Sequence, residues 1–242
     1  MLEPPTPEEL EACPFCAGRE DRTPPETLRL PEEGDWTVRV VPNLYPALER
    51  QEVVVHSPRH VRSFAELAEH ELDLVAEAWR RRREAVPEGY LHALVNEGRE
   101  AGASLPHSHS QLAWFREPPP AVAEERGELA VGDVVLERDG LLLACPPASR
   151  LPYELVVAPL DDETDGLRSE RLGPALRLLA EGIRRLRRIE GPVPWNAWLH
   201  DGRRWHVEVV PRLAVLAGLE LGAGIYVNPL PPEQAAAALR AG

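Results

Sequence analysis

The chain has 242 residues, 27 basic and 40 acidic, with a formal charge of −13 and 43% hydrophobic residues. That length holds one large domain or two small ones with a real core, and the apolar fraction excludes wholesale disorder. Net acidity argues against nucleic acid or an anionic membrane as partner; no apolar run spans a bilayer, and the acidic, Pro-rich start Met1–Leu10 is unlike a targeting peptide.

Residues 1–35 are rich in Pro, Glu and Arg, lack a clear period, and read as irregular. Trp36–Val41 alternates and is rich in β-branched residues, which predicts a strand ended by Pro42. Glu52–His56 is a second strand, halted by Ser57-Pro58. Ser63-Phe-Ala-Glu66 is a capping-box pattern that opens an amphipathic helix to about Arg83. Its stripe runs through Phe64, Leu67, Val75, Ala78 and Trp79, with Glu71 falling inside it. Tyr90–Val95 is a strand, 96–106 a loop containing Gly and Ser, and 107–115 another strand.

After the proline run 118–120 the order returns more loosely. Val134–Leu136 and Leu141–Cys145 flank the turn Asp139-Gly140. A strand at Glu154–Val157, a helix from about Glu170 to Ile189, and strands at Trp195–His200 and Trp205–Val210 follow. Strand, helix, strand, loop, strand thus occurs twice, and His107-Ser-His109 stands opposite His206-Val-Glu208, 99 residues later. Such a duplication predicts an α+β chain of two similar units, 1–118 and 119–242, with joined antiparallel sheets and helices packed on one side.

The densest polar cluster is Asn96 to Gln111. If 107–111 is extended, His107, His109 and Gln111 share one face while Ser108 and Ser110 take the other. Two imidazoles and an amide make a poor apolar core and a good reactive surface; the alternative is an edge strand with two exposed histidines. The glycines before them let backbone approach a ligand and offer N–H groups to phosphate oxygens, which suits a small anion despite the net acidity. Cys13-Pro-Phe-Cys16 is a compact chelating pair for zinc or iron. A redox pair would want a strand before and a helix after, and acidic, Pro-rich sequence flanks this one. Cys145 is isolated, so a metal needs histidines. His60 and His107 are the candidates, with His56 a rival, and two unligated thiols are the other option. The odd cysteine count points to a cytoplasmic location.

These segments together resemble the galactose-1-phosphate uridylyltransferase family, the nucleotidyltransferase branch of the histidine triad superfamily. The residues that carry the resemblance are Cys13-Pro-Phe-Cys16, Val41-Pro-Asn43-Leu-Tyr-Pro-Ala47, Ser57-Pro-Arg-His60, Asn96-x-Gly98, Ser104 and His107-x-His109-x-Gln111. In the second half, Arg204–Arg212 and Gly218–Pro229 are similar to members that act as ADP-sugar phosphorylases. The resemblance implies carbohydrate metabolism, galactose metabolism in particular: ping-pong transfer between nucleoside-diphosphate sugars and sugar 1-phosphates, through a covalent nucleotidyl-histidine on His109. It assigns Gln111 to a non-bridging phosphate oxygen, and Ser104 with the glycine loop at Gly98 to the diphosphate. Asn43 and Asn96 fall around the nucleoside, and Glu220 at the sugar. Gln111 stands where hydrolase relatives carry a third histidine, which favours transfer over hydrolysis. Zinc would sit on Cys13, Cys16, His60 and His107 and hold the nucleophile strand. The implied partners are a nucleotide sugar, a sugar 1-phosphate and a second copy in a homodimer.

Several departures bear on these expectations. The family's extra strand region ahead of C-x-x-C is absent from the dozen residues before Cys13. A family metal site of several histidines is matched in part, by His200, His206 and Glu208. A cationic partner six residues before Glu220 is Ala214 here. The alternatives are an ADP-sugar phosphorylase or nucleotide hydrolase, and a nucleotide-binding protein with impaired catalysis. Arg80–Arg83 and Arg184–Arg188 read as solvated helix ends, where cations complement the dipole. All basic residues are Arg, so lysine chemistry is excluded.

Overall fold

Strand alternation sorts the valines onto two faces. Val38, Val40 and Val54 join the main core, whereas Val41, Val53 and Val55 pack into a second, smaller cluster on the opposite face. The computed structural model describes residues 4–124 and 129–242, so Met1–Glu3 of the acidic start lie outside the described residues. In chain order these form α1 (Pro7–Ala12), β1 (Leu28–Leu30), β2 (Val38–Pro42), β3 (Gln51–Val55), α2 (Glu69–Ala85), β4 (Tyr90–Glu97), β5 (His109–Phe115) and α3 (Pro120–Ala123). Then come β6 (Asp133–Arg138), β7 (Leu141–Cys145), β8 (Leu155–Pro159), α4 (Leu172–Glu190), β9 (Trp195–His200), β10 (His206–Pro211), α5 (Gly218–Ala223) and α6 (Pro232–Ala241).

The ten strands make one sheet in the order β1-β2-β3-β5-β4-β9-β10-β8-β7-β6. Every pairing is antiparallel, and the two halves meet where β4 pairs with β9, Leu94 opposite Trp198 and Asn96 opposite Asn196. The expected α+β class and joined sheets hold. Helices α2, α4 and α6 cover one face through Leu72, Val75, Trp79, Leu176, Leu179, Ile183 and Leu239. Burying each of the larger side chains contributes about 1.5–3 kcal/mol. The other face carries two smaller apolar clusters and, beside the first of them, the polar side chains of the candidate site.

Two expectations need correction. The first 35 residues are not all irregular: Thr6 accepts from the Glu9 N–H and Pro7 starts α1, while Leu28–Leu30 adds an edge strand beside β2. The long helix does not begin at Ser63. That residue caps a 3₁₀ turn, Phe64–Glu66, and α2 starts at Glu69, where Glu71 accepts from the Ala68 N–H at 2.8 Å. Glu71 sits in the apolar stripe because it is satisfied there. Burial opposes its ionisation, but Arg59 at 2.7 Å, the Ala68 N–H and Ser57 at 2.8 Å outweigh it and hold the carboxyl below its ordinary range.

Candidate active site

The sequence around Cys13 turns out of α1 and lays both thiols beside two histidines on the sheet's open face. Cys13 Sγ is 3.3 Å from His107 Nδ1, Cys16 Sγ is 3.3 Å from His60 Nδ1, and the four ligand atoms all lie within 4.8 Å of one another. Tetrahedral zinc would separate such atoms by roughly 3.5 Å. Outer partners orient both rings: His107 Nε2–H donates to the Ser57 carbonyl at 2.9 Å, and His60 Nε2–H to Glu9 Oε1 at 2.8 Å. Each Nδ1 lone pair is therefore left facing the thiols, an arrangement typical of metal-bound imidazole. Burial lowers His107 to about 4, so its ring is neutral, as a ligand must be. Burial and then Cys13 push the Cys16 thiol up to about 11, so thiolate there needs a neighbouring cation. Arg62 above all holds Glu9 at about 2, against burial, and keeps it an acceptor for His60. The four residues fit a metal, and His56 does not join them. It is enclosed between Ser108 Oγ and Ser110 Oγ, both at 2.9 Å, on the helix side.

Two residues past His107, His109 opens β5. Its Nδ1–H donates to the His107 carbonyl at 2.7 Å, which fixes the tautomer and leaves Nε2 unprotonated. Burial holds the imidazole below its ordinary value, against the pull of that carbonyl. The ring meets Phe15 edge-on at 5.5 Å and borders a cavity of about 440 Å³. Asn43, Ser104 and Gln111 border the same cavity, with Phe15, Val41, Val53 and Leu105 as its apolar wall. A neutral, tautomer-fixed imidazole beside an amide and a hydroxyl can serve as a nucleophile with donors near it.

The remaining candidates are placed differently. Gly98 and Gly102 have φ of 88° and 89°, and a Cβ on Gly98 would lie 2.8 Å from Pro194. Only glycine lets the loop turn there. Asn96 lies at the seam between the halves, where its Oδ1 accepts from Asn196 Nδ2 at 2.7 Å. Asn196 also donates to the Ala101 carbonyl at 2.8 Å, so the second half holds the glycine loop of the first. Asn96 and Gly98 border a small recess behind His109 rather than the main cavity. Glu220 is half-buried in α5, where it accepts from the Ala217 N–H, and it does not border the cavity. On β9 and β10, ligand atoms of His200, His206 and Glu208 lie within 4.8 Å of one another, a second set able to hold a metal. A larger groove of about 650 Å³ lies on the helix side, and its cations Arg80, Arg168 and Arg177 are each ion-paired. Glu9 and Gln51 matter to the site without carrying a motif. The Thr-Pro-Glu-Glu start of α1 was the signal available for Glu9; Gln51 had none.

Residues 46–118 match the family model for the galactose-1-phosphate uridyl transferase N-terminal domain. An ADP-glucose phosphorylase of Arabidopsis thaliana is 28% identical over 95% of this chain and 81% of its own length. The galactose-1-phosphate uridylyltransferase of Thermotoga maritima is 25% identical over 94% of this chain and 88% of its own. The chain is thus similar over nearly its whole length to an ADP-glucose phosphorylase and to a galactose-1-phosphate uridylyltransferase. A crystal structure of the Arabidopsis thaliana ADP-glucose phosphorylase with bound ADP-glucose has the same fold, with a TM-score of 0.87 and 26% identity over 98% of this chain and 92% of that one. The family resemblance seen in the motifs therefore extends to the second half, outside the part that the family model matches.

Proposed function

We propose that the protein is a hexose-1-phosphate nucleotidylyltransferase, a UDP-glucose–hexose-1-phosphate uridylyltransferase-like enzyme. The observation that carries this reading is His109, neutral and tautomer-fixed at the edge of a cavity that Gln111 shares. His109 Nε2 attacks the α-phosphorus of a nucleoside-diphosphate sugar; a P–N bond forms, the P–O bond to the sugar phosphate breaks, and the sugar 1-phosphate leaves with the electron pair. An acceptor phosphate then attacks the nucleotidyl-histidine and returns Nε2 to its starting state. Gln111 donates to a non-bridging oxygen as charge builds there, and Ser104 orients the diphosphate. Asn43 meets the nucleoside. Cys13, Cys16, His60 and His107 hold zinc, whose contribution when bound is structural, bracing the nucleophile strand through His107.

The alternative acceptor is inorganic phosphate, which makes the enzyme an ADP-sugar phosphorylase. The 28% identity to such an enzyme, against 25% to the uridylyltransferase, favours testing it in parallel. Two histidine-triad-like units, 1–118 and 119–242, make up the enzyme, the first carrying the reacting residues. The exposed apolar residues Val215, Leu221 and Val227 supply a surface for homodimer formation. Free Cys13, Cys16 and Cys145 suit the reducing cytoplasm, and among the described residues no helix is long and apolar enough to cross a membrane.

The test is incubation with ADP-glucose and with UDP-glucose labelled in the α-phosphate, followed by hexose 1-phosphate or phosphate as acceptor. An acid-labile, base-stable label on His109 that the acceptor discharges is the expected result. Failure to take label from any nucleotide sugar overturns the proposal.

A further inference from the structure

The connection between β2 and β3 ends at Gln51, which pairs with Ala113 of β5 and so lies on the open face diagonal to Gln111. The Ala47 N–H donates to Gln51 Oε1 at 2.9 Å. A backbone N–H can only donate, so the carbonyl end of the Gln51 amide has to be the end that faces Ala47. Gln51 Nε2 is thereby aimed the other way, and it donates to Gln111 Oε1 at 2.5 Å. That bond occupies the carbonyl of Gln111. Its NH₂ group, for which no hydrogen bond is found among the described residues, is left for the cavity it shares with His109. Asn43 is set by the same connection, since the Tyr45 N–H donates to Asn43 Oδ1 at 3.0 Å and frees that NH₂ in turn.

We propose that Gln51 is a positioning residue that fixes the polarity of the Gln111 amide, so that Gln111 presents N–H and not C=O to the reacting phosphate. The inference rests on the nucleotidyl-transfer reading. Phosphate oxygens only accept, so an amide turned the wrong way sets oxygen against oxygen where charge builds up. A free glutamine would sample both orientations and would have to be ordered in each turnover. The relay from Ala47 through Gln51 makes the choice in advance, from a backbone donor whose direction cannot reverse.

The experiment compares wild type, Gln51→Glu and Gln51→Ala in two measurements. In Gln51→Glu a carboxylate still accepts from Ala47 but can only accept from Gln111, which reverses the Gln111 amide. The rate of His109 labelling from ADP-glucose or UDP-glucose should fall on the order of 100-fold, with KM within about threefold. Gln51→Ala removes the bias without reversing it and should cost about tenfold or less. The side-chain amide NMR signals of Gln111, assigned by their loss in Gln111→Glu, should move downfield in Gln51→Glu as the NH₂ binds the carboxylate. Labelling within about threefold of wild type in Gln51→Glu, a loss no larger than in Gln51→Ala, or unmoved Gln111 signals overturns the proposal. Should wild type take no label at all, the functional reading fails while the amide signals still decide the role of Gln51.

Discussion

The two halves of the sheet share a frame and differ in what their equivalent strands carry on the open face. β5 and β10 each flank the central β4–β9 pair. Over the 99-residue offset His107 corresponds to His206, but His109, the proposed nucleophile, becomes Glu208, and Gln111 becomes Val210. A carboxylate and an apolar side chain can neither form a nucleotidyl-histidine nor donate to phosphate, so under the proposed mechanism the second half keeps the scaffold without the reaction. Burial opposes the ionisation of Glu208, but His206 foremost, with Arg150 and His200, keeps it below the ordinary carboxylate value. A cluster with a stable charge suits a structural task. Fold and chemistry are thus separable here, because strand pairing is set by backbone and core face while reactivity sits on the opposite face.

The sharpest way to break this comparison is to exchange the burden between halves. His109→Asn should abolish covalent labelling, by at least about 10⁴-fold, whereas Glu208→Gln should leave the labelling rate within about threefold. Comparable losses at the two positions would end the division of labour. Next in size, Cys13→Ser should remove the metal and lower the thermal midpoint by about 10 °C, since ligation and folding are coupled. Metal analysis and calorimetry on the same samples check it; an unchanged midpoint with no metal in wild type contradicts a structural ion. Asn196→Ala probes what the second half does for the first. It leaves Asn96 and the Ala101 carbonyl unpaired, costs about 1–3 kcal/mol, and should raise KM for the nucleotide sugar about tenfold through a looser glycine loop. A change in kcat alone would place the effect elsewhere.

The smallest effect concerns Glu97, the last residue of β4. Burial raises its carboxyl from 4.5 to about 7, against the donors Ser63 O–H and Phe64 N–H, both at 2.7 Å, and the charge of Arg187. The folded state then holds a proton the unfolded chain has released, so this contribution is full below about pH 4.5 and is lost as pH rises through about 7. Glu97→Gln should therefore gain on wild type by about 3 °C in midpoint between pH 5 and pH 8, followed by thermal unfolding. A gap that stays constant with pH would assign the ionised form to the folded protein.

Most strands were legible because β-branched runs bounded by Pro and Gly leave few other readings, and the C-x-x-C spacing marked a chelating pair whose histidine partners stayed open between His60, His107 and His56 until the fold brought the first two to the thiols. Short elements escaped for a physical reason. α1 has six residues, too few to show a period, and only its Thr6 cap and Pro7 announce it. Ser63 misled because a Ser-x-x-Glu pattern caps a 3₁₀ turn as readily as a helix, and Ser63 here also donates to Glu97, far along the chain. Glu71 looked like a fault in the helix stripe until Arg59 and Ser57 came into reach.

By itself the sequence determined what periodicity and local spacing can encode: the doubled α+β order, the alternation that puts His109 and Gln111 on one face, and the candidate metal donors, with His56 still a rival to His60. Tertiary structure alone decided which polar groups meet and which end of each points where. Asn96 went to the seam and Asn196 to the glycine loop, while Glu9 came beneath His60. The backbone donor at Ala47 set Gln51, and Gln51 set Gln111. Those outcomes depend on hydrogen-bond direction between residues up to a hundred positions apart, and no one-dimensional pattern carries that information.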